Sequence, residues 1–538
     1  MSAQDVLGRV GLPSPVSELA SRSWDVVVVG GGHNGLTAAA YLARAGRSVL
    51  VLERRERLGG ACTLEQPFED SRWLISPCAY VVGLLHPLVV DELGLGARGY
   101  SVKVVDPHLW CPFTDGTSIA LWEDAERSAQ AVRELSPNDV EGYLAYQALF
   151  ARIRRALRTG DRDTWVGDAP DRPALEELLA GDPEAVEVVF SASIAEVVER
   201  YVRDDRLRTA LHGQGIIGTW AGPRSPGTAA VHLMHSSGAL EGLPGAWGYV
   251  SGGTGRVSFA LADAAREAGA VLASGVPVAS VLPGEGVVLE GGELVRCTAV
   301  VSNADPKRTL ALCQGGVTED FRQRAQGWAS ESPVLKVNCA LSRLPRFPQA
   351  SPGAAEPYRA MVTISTGTDA TQAAYEASRR GEPEPAWCEL YFQTAYDTTI
   401  APPAGHTMSV FAQYVPYTLR TGDWASRREA IADAAIAAVA RFSPDVEECI
   451  VERQVLGPPD VEEKVGLTGG HIFQGECLPD QMWDRRFSPR VSPGLYLCGA
   501  ATHPGGSVMA INGRNAAMAV LEDLGERAPS AGARAVRQ

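Results

Sequence analysis

Four consecutive valines, Val26–Val29, run directly into three consecutive glycines, Gly30–Gly32, before an apolar helical pattern resumes at Gly35. Glycine is the costliest residue to order, so such a run marks a place where backbone must approach something closely. The β-branched run predicts a central parallel strand covered on both faces. Residues Gly35–Ala45 have helical spacing, and Ser48–Glu53 predicts a second short buried strand, which completes one βαβ unit. Within it, Gly30-Gly31-Gly32-His33-Asn34-Gly35 fits G-x-G-x-x-G. Gly30 permits the tight turn, Gly32 lets main chain near a pyrophosphate, and Gly35 lets the helix pack on the strand. Phosphates would face the helix N-terminus, where free N–H groups favour negative charge. Glu53 closes the second strand, where a carboxylate accepts from both ribose hydroxyls and repels a 2′-phosphate. With strand, helix and acid all in place, the segment predicts a dinucleotide site.

The rest of the chain alternates in character. From Glu123 to about Arg208 the pattern is helical, with segments such as Ala174–Leu179 and Ile194–Val202. Gly213–Gly255 is rich in Gly, Pro, Trp and His and reads as a long functional loop region. Helix–strand alternation returns at Arg256–Ala268, Val276–Leu282 and Ala299–Ser302, whereas Pro333–Leu341 and Thr407–Gln413 predict strands of a second sheet. Gly494–Gly499 predicts a buried strand, followed by a glycine loop and a helix over Asn512–Leu524. Nucleotide-domain signals at both ends and in the middle imply two interleaved domains in an α/β (α+β) fold. A discontinuous Rossmann-like domain is expected over 24–85, 240–330 and 470–525. A substrate domain of mixed sheet plus helices is expected over 86–239 and 331–469, with flexible tails at 1–23 and 526–538. Gly252-Gly253-Thr254-Gly255 follows no clear strand and lacks the third glycine of the G-x-G-x-x-G motif, so no second nucleotide domain is expected.

A net charge of −15 argues against nucleic acid and anionic membrane surfaces as main partners. The ten cysteines form no C-x-x-C pair and fall in apolar stretches, so they read as free thiols, with no metal site. The first residues, MSAQDVLGRVGLPSPVSELASRS, contain no apolar h-region. The longest apolar run, Ala79–Val90, is broken by His86 and Pro87 and is too short to span a bilayer. A cytoplasmic protein is expected; peripheral membrane contact and oligomeric state stay open.

Beyond Glu53, the stretch Glu53-Arg54-Arg55-Glu56-Arg57-Leu58-Gly59-Gly60 carries a second glycine pair. It resembles the extended motif of FAD proteins in the flavin amine oxidase and carotenoid desaturase group, in which that pair wraps the pyrophosphate from the other side. The segment Leu495–Ala517, LYLCGAATHPGGSVMAINGRNAA, is similar to the part of those proteins that contacts the isoalloxazine and ribityl groups. The resemblance implies such contacts for Gly499, Ala500, Val508 and Met509, with Ala500 where many relatives carry an acid. Together with LGGACTLE, Gly245–Ala270, VVSNADP and GLTGGHIFQGE, these stretches resemble the phytoene dehydrogenase-related FAD oxidoreductases, over about residues 25–525. More narrowly they resemble the family of pyridine nucleotide-disulfide oxidoreductase domain-containing protein 2. The resemblance implies a flavin amine oxidase-like two-domain fold and FAD as cofactor. It adds Arg54 and Ala61 to the cofactor contacts, Ala61 standing where many desaturases and amine oxidases have arginine, and sets the Val278 backbone against the adenine.

Lysine is nearly absent from the chain: Lys103, Lys307, Lys336 and Lys464 are the only four. Alternation in PVLKVNCAL puts Lys336 on one face with Val334, Asn338 and Ala340. That stretch resembles the amine oxidase strand whose lysine holds a water beside flavin N5; alternation alone equally allows a solvated lysine. The family resemblance places His471, in TGGHIF, near the flavin as a proton shuttle or substrate-orienting residue. His235 and Trp247 are candidate cavity residues. The expected function is hydride transfer between flavin N5 and a carbon of a largely apolar, isoprenoid- or polyene-type substrate, by desaturation, saturation or isomerisation, with oxygen or a quinone as electron acceptor. An amine oxidase is the alternative, weakened because Gly506-Ser507-Val508 offers no aromatic ring. A FAD-loaded binding protein with little turnover is the third reading.

Overall fold

The computed structural model describes residues 4–158 and 163–525. The strand Trp24–Val29 sits in the middle of an eight-stranded sheet. It pairs in parallel with Val49–Glu53 on one side and with the long strand Leu294–Ser302 on the other. The parallel set extends outward to Val271–Ser274 and to Leu495–Leu497. An antiparallel flap, Val278–Leu282 and Gly286–Leu289, continues from the first half of Leu294–Ser302. Val26, Val27 and Val28 have no solvent exposure, as a doubly covered parallel strand requires. Each such side chain contributes about 1.5–3 kcal/mol relative to exposure. Three helices, His33–Arg44, Gly255–Glu267 and Ile511–Asp523, cover one face and share a single apolar cluster with the sheet.

The second sheet has seven strands in the order Ile450–Leu456, Val334–Leu341, His406–Gln413, Trp387–Tyr391, Met361–Ile364, Leu109–Pro112 and Ser118–Leu121. It is antiparallel except where Met361–Ile364 meets Leu109–Pro112. The helix Trp424–Ala440 covers one side of it. A helical layer from Ala125 to His212 completes the molecule. Its helices start where the chain offers side-chain caps: Asp124, Asp171, Asp182, Ser193 and Asp204 each accept backbone N–H groups of the first turn. Strands of the two sheets alternate along the chain.

Three regions differ from the sequence expectation. Residues 4–23, expected to be a loose tail, are held: Leu7 and Leu19 are buried and Gly8 O accepts from Leu58 N at 3.0 Å. The cause is the short helix Val16–Ser21, whose Leu19 joins the apolar cluster beneath the first sheet. The expected tail 526–538 lies outside the described residues. Within the expected loop region, Thr228–Ser236 is a helix whose Ala229, Ala230, Val231 and Leu233 are buried. Finally, a short strand, Gly248–Val250, does precede Gly252–Gly255. That glycine turn is nonetheless closed to a ligand, because Leu64 and Thr63 fill the space beside Gly253 and Gly255. Among the described residues no helix is long and apolar enough to cross a membrane, and no cluster of three or more His, Cys, Asp or Glu could hold a metal ion.

Candidate functional site

A cavity of about 270 Å³ runs from the glycine turn of the first sheet to the face of the second. Gly30, Gly32, Asn34, Glu53, Arg54, Gly59, Gly60, Ala61, Val278, Ala500 and Val508, all singled out from sequence, line it. Gly31, Gly35, Gly499 and Met509 lie behind the wall instead. Gly35 lets helix meet strand: a Cβ there would sit 2.2 Å from Gly30 O. Gly31 donates its N–H to Glu53 Oε2 at 2.7 Å, which fixes the carboxylate. A Cβ on Gly499 would meet Gln474 Oε1 at 2.3 Å, and Met509 is fully buried with its carbonyl accepting from His86 N. These four shape the wall and do not face the space.

The two glycine pairs are neighbours in space. Gly59 donates to Gly31 O at 2.8 Å, and a Cβ on Gly60 would lie 3.4 Å from the Gly32 Cα. Gly59 has φ +106°, and a Cβ there would lie 2.3 Å from Cys62 O, so only glycine fits. Glu53 also accepts from Arg55 N at 2.9 Å and is nearly fully buried. Burial pushes its pKa up, opposed by the two N–H donors and the charges of Arg55 and Arg54.

A dinucleotide of the FAD type fits this end of the cavity on two structural grounds. Two buried polar atoms on its wall, Asn34 Oδ1 and His33 Nε2, have no hydrogen-bond partner in the protein. The backbone cradle formed by Gly30–Gly32 and Gly59–Gly60 is also one that side chains would fill. The C-terminal wall is held in place by Asn512, whose Nδ2 donates to Thr502 O and Gly505 O, both at 3.0 Å.

Lys336 reaches the other end. The strand Val334–Leu341 is buried at every position, so its lysine face is turned to the interior and not to bulk solvent. Its ammonium rests over the rings of Tyr80 and Phe411, each centroid at 4.6 Å. Burial lowers its pKa to about 8, with Cys78 pulling the other way. His235 and Trp247 also line the cavity, as does Phe473. His471 does not, although it is fully buried. Its Nδ1 accepts from Phe473 N at 3.3 Å, which shapes the turn that presents Ile472 and Phe473. Burial, with the charge of Arg486, lowers its pKa to about 3. A group so far from neutrality is poorly matched to proton shuttling.

Sequence reasoning missed Tyr80, Gln214, Asn303, Glu389 and Tyr391, all on the cavity wall. Glu389 could have been found: a single carboxylate inside WCELYF is a charge where a strand should be apolar.

The fold is that of the flavin amine oxidase-like oxidoreductases, with a Rossmann-like domain in the first sheet. A family model described as an NAD(P)-binding Rossmann-like domain matches residues 28–84. Pyridine nucleotide-disulfide oxidoreductase domain-containing protein 2 of Rattus norvegicus is 34% identical over 551 residues, covering 93% of this chain and 94% of that protein. A hydroxyneurosporene desaturase of Cereibacter sphaeroides is 26% identical over 536 residues, covering 93% and 98%. Among solved structures, a putrescine oxidase bound to putrescine matches with TM-score 0.56 and 17% identity, covering 94% and 99%. The chain belongs to the family of pyridine nucleotide-disulfide oxidoreductase domain-containing protein 2.

Proposed function

We propose that the protein binds FAD and transfers a hydride between flavin N5 and a carbon of a largely apolar substrate, by desaturation, saturation or isomerisation of an isoprenoid- or polyene-type molecule. The observation that carries this reading is the continuity of the cavity: one space joins the glycine cradle and Glu53 to a wall of Val81, Ile217, Met361, Phe411 and Ile472. The relationship to a hydroxyneurosporene desaturase supports the apolar substrate class.

Gly30, Gly32, Gly59 and Gly60 would hold the pyrophosphate through backbone, Glu53 the adenosine ribose, and Val278 the adenine. Ala61, Ala500 and Val508 would border the ring system, with Arg54 closing the adenine side, where its Nη2 donates to Glu463 O at 2.9 Å. When bound, the flavin supplies a two-electron acceptor or donor. Lys336 supplies a cation, or a base in the fraction deprotonated, on the opposite wall. The apolar wall excludes water from the reacting carbon. Oxygen or a quinone is the proposed electron acceptor, and the cytoplasm the proposed location.

The test is anaerobic titration of the purified yellow protein with polyenes and with primary amines, following loss of the oxidised flavin band. Bleaching by polyenes, or reoxidation of the reduced protein by them, is expected. Bleaching by amines alone would transfer the protein to the amine oxidases, and a colourless polypeptide that takes up no FAD would end the proposal.

A further inference from the structure

Lys336, Phe411 and Glu389 form one rung across the second sheet: Phe411 is the Cα partner of Lys336 on one side and of Glu389 on the other. Cross-strand partners point to the same face, and all three line the cavity. With strands about 4.8 Å apart, the Cα atoms of Lys336 and Glu389 are about 10 Å apart, with an aromatic ring between them. The lysine makes no hydrogen bond or ion pair among the described residues; it engages only the two rings.

Glu389 is 1% exposed. Its Oε2 accepts from the Tyr391 hydroxyl, two residues along on the same face, while its Oε1 has no partner within hydrogen-bond distance, the Gln214 side chain lying nearby on the same wall. Tyr80 Oη, on the same cavity wall, is a second buried polar atom without a partner. The Tyr80 and Tyr391 rings lie 5.1 Å apart, so the two orphaned groups belong to one cluster. Buried polar atoms almost always find partners, and leaving them unpaired costs free energy. A pure hydrocarbon in the cavity would leave both unpaired.

We propose that the Glu389 carboxyl, with the Tyr80 hydroxyl, is the polar recognition point of the substrate cavity, and that the substrate carries a hydroxyl or carbonyl oxygen on an otherwise apolar frame. This rests on the reading of the cavity as an apolar substrate site. Burial pushes the Glu389 carboxyl up to about 7, with the Tyr391 hydroxyl and the Gln214 side chain only partly opposing it. Its protonated fraction both donates and accepts, which suits a neutral oxygen function better than an ammonium ion.

Four ten-carbon probes of like size separate the cases: geraniol (hydroxyl), citral (carbonyl), geranylamine (amine) and myrcene (hydrocarbon). Binding to the flavin-loaded protein is followed by the visible flavin spectrum and by fluorescence of the tryptophans, of which Trp247 lines the cavity. Geraniol and citral are expected to bind at least tenfold tighter than myrcene, the worth of about 1.4 kcal/mol. Glu389→Leu should remove that preference while myrcene binds as well as before or better. Glu389→Gln, which conserves shape, should keep part of it, and Tyr80→Phe should weaken it; these two carry the test should the leucine variant fail to fold. Myrcene bound as tightly as geraniol and citral overturns the proposal and leaves the apolar-site reading standing. So does a preference that survives Glu389→Leu, or geranylamine as the tightest ligand. Failure of all four to bind overturns the proposal together with that reading.

Discussion

Lys336→Met isolates the cost of keeping a cation inside the second sheet. Lys336 is 1% exposed, has no anionic partner among the described residues, and has its pKa lowered by burial to about 8 from 10.5. At 1.36 kcal/mol per pKa unit, that difference is about 3 kcal/mol of destabilisation of the charged form. The unfolded chain binds the proton more tightly than the folded one, so stability from this group rises with pH. The cost is full below pH 8 and gone above pH 10.5. Methionine removes the charge and keeps the contacts with the Tyr80 and Phe411 rings through its sulfur. The lost cation–π attraction, about 0.5–2 kcal/mol, subtracts from the gain. The variant should therefore be about 1–2 kcal/mol more stable at pH 7, the gap closing by pH 10.5. Denaturant melts of both proteins across that range measure the difference, and every other titrating group cancels in it. The same variant should be reoxidised by air more slowly after reduction, as expected of a lysine that faces the flavin. A variant less stable than the parent at pH 7, or a gap that ignores pH, would show that the ammonium is solvated or paired; an unchanged reoxidation rate would remove Lys336 from the reacting site.

Gly59→Ala forces a Cβ to within 2.3 Å of the Cys62 carbonyl at φ +106°, so a loss of about 2–4 kcal/mol in stability is expected, with FAD content falling in parallel. A variant that melts with the parent and stays yellow would contradict the cradle. Glu53→Gln puts an amide N–H against the Gly31 or Arg55 N–H and removes the charge from the expected ribose contact; a loss of about 1.5–3 kcal/mol means a tenfold to hundredfold weaker FAD dissociation constant, measured by titrating apoprotein fluorescence. An unchanged constant would dissociate Glu53 from the cofactor. Among the ten free cysteines, Cys313 alone is not buried, so an aromatic disulfide reagent should modify one thiol in the native protein and ten after denaturation. Several fast native thiols would contradict the packing.

The glycine-turn end of the cavity was legible because its determinants are local. Strand, glycine turn, helix and Glu53 lie within one short segment, and the glycines carry a steric requirement that leaves few other readings. The substrate end was not, because it is made by register. Alternation in Val334–Leu341 assigns Lys336 to a face but cannot say whether that face is wet; His406–Gln413 and Ile450–Leu456 flank it on both sides and the cavity closes over it. Glu389 belongs to another strand, and only the shared partner Phe411 brings it into line with Lys336. The helix Thr228–Ser236 escaped notice because the glycines and prolines around it outweighed a short apolar stretch, whose helix is stabilised by burial against its neighbours and not by propensity. His471 misled for the opposite reason. A histidine beside glycines in a cofactor-facing segment has the right chemistry, and only the turn decides that Ile472 and Phe473 point inward while the imidazole points away.

This division has a consequence for how such a protein changes its chemistry. The cradle is built from main chain and from one carboxylate whose oxygens are already tied to Gly31 and Arg55, so almost any substitution there disturbs the backbone of the glycine turn. The rung is built from side chains standing on a sheet whose backbone hydrogen bonds are independent of them. Replacing Glu389 or Met361 alters the polarity or width of the substrate wall without touching the first sheet, because neither belongs to any strand of it. Lys336 lies between these cases: it stands on the second sheet, yet its ammonium is held by Tyr80, which comes from the loop after the βαβ unit. A cation on aromatic rings therefore ties the second sheet to the loop that follows the βαβ unit.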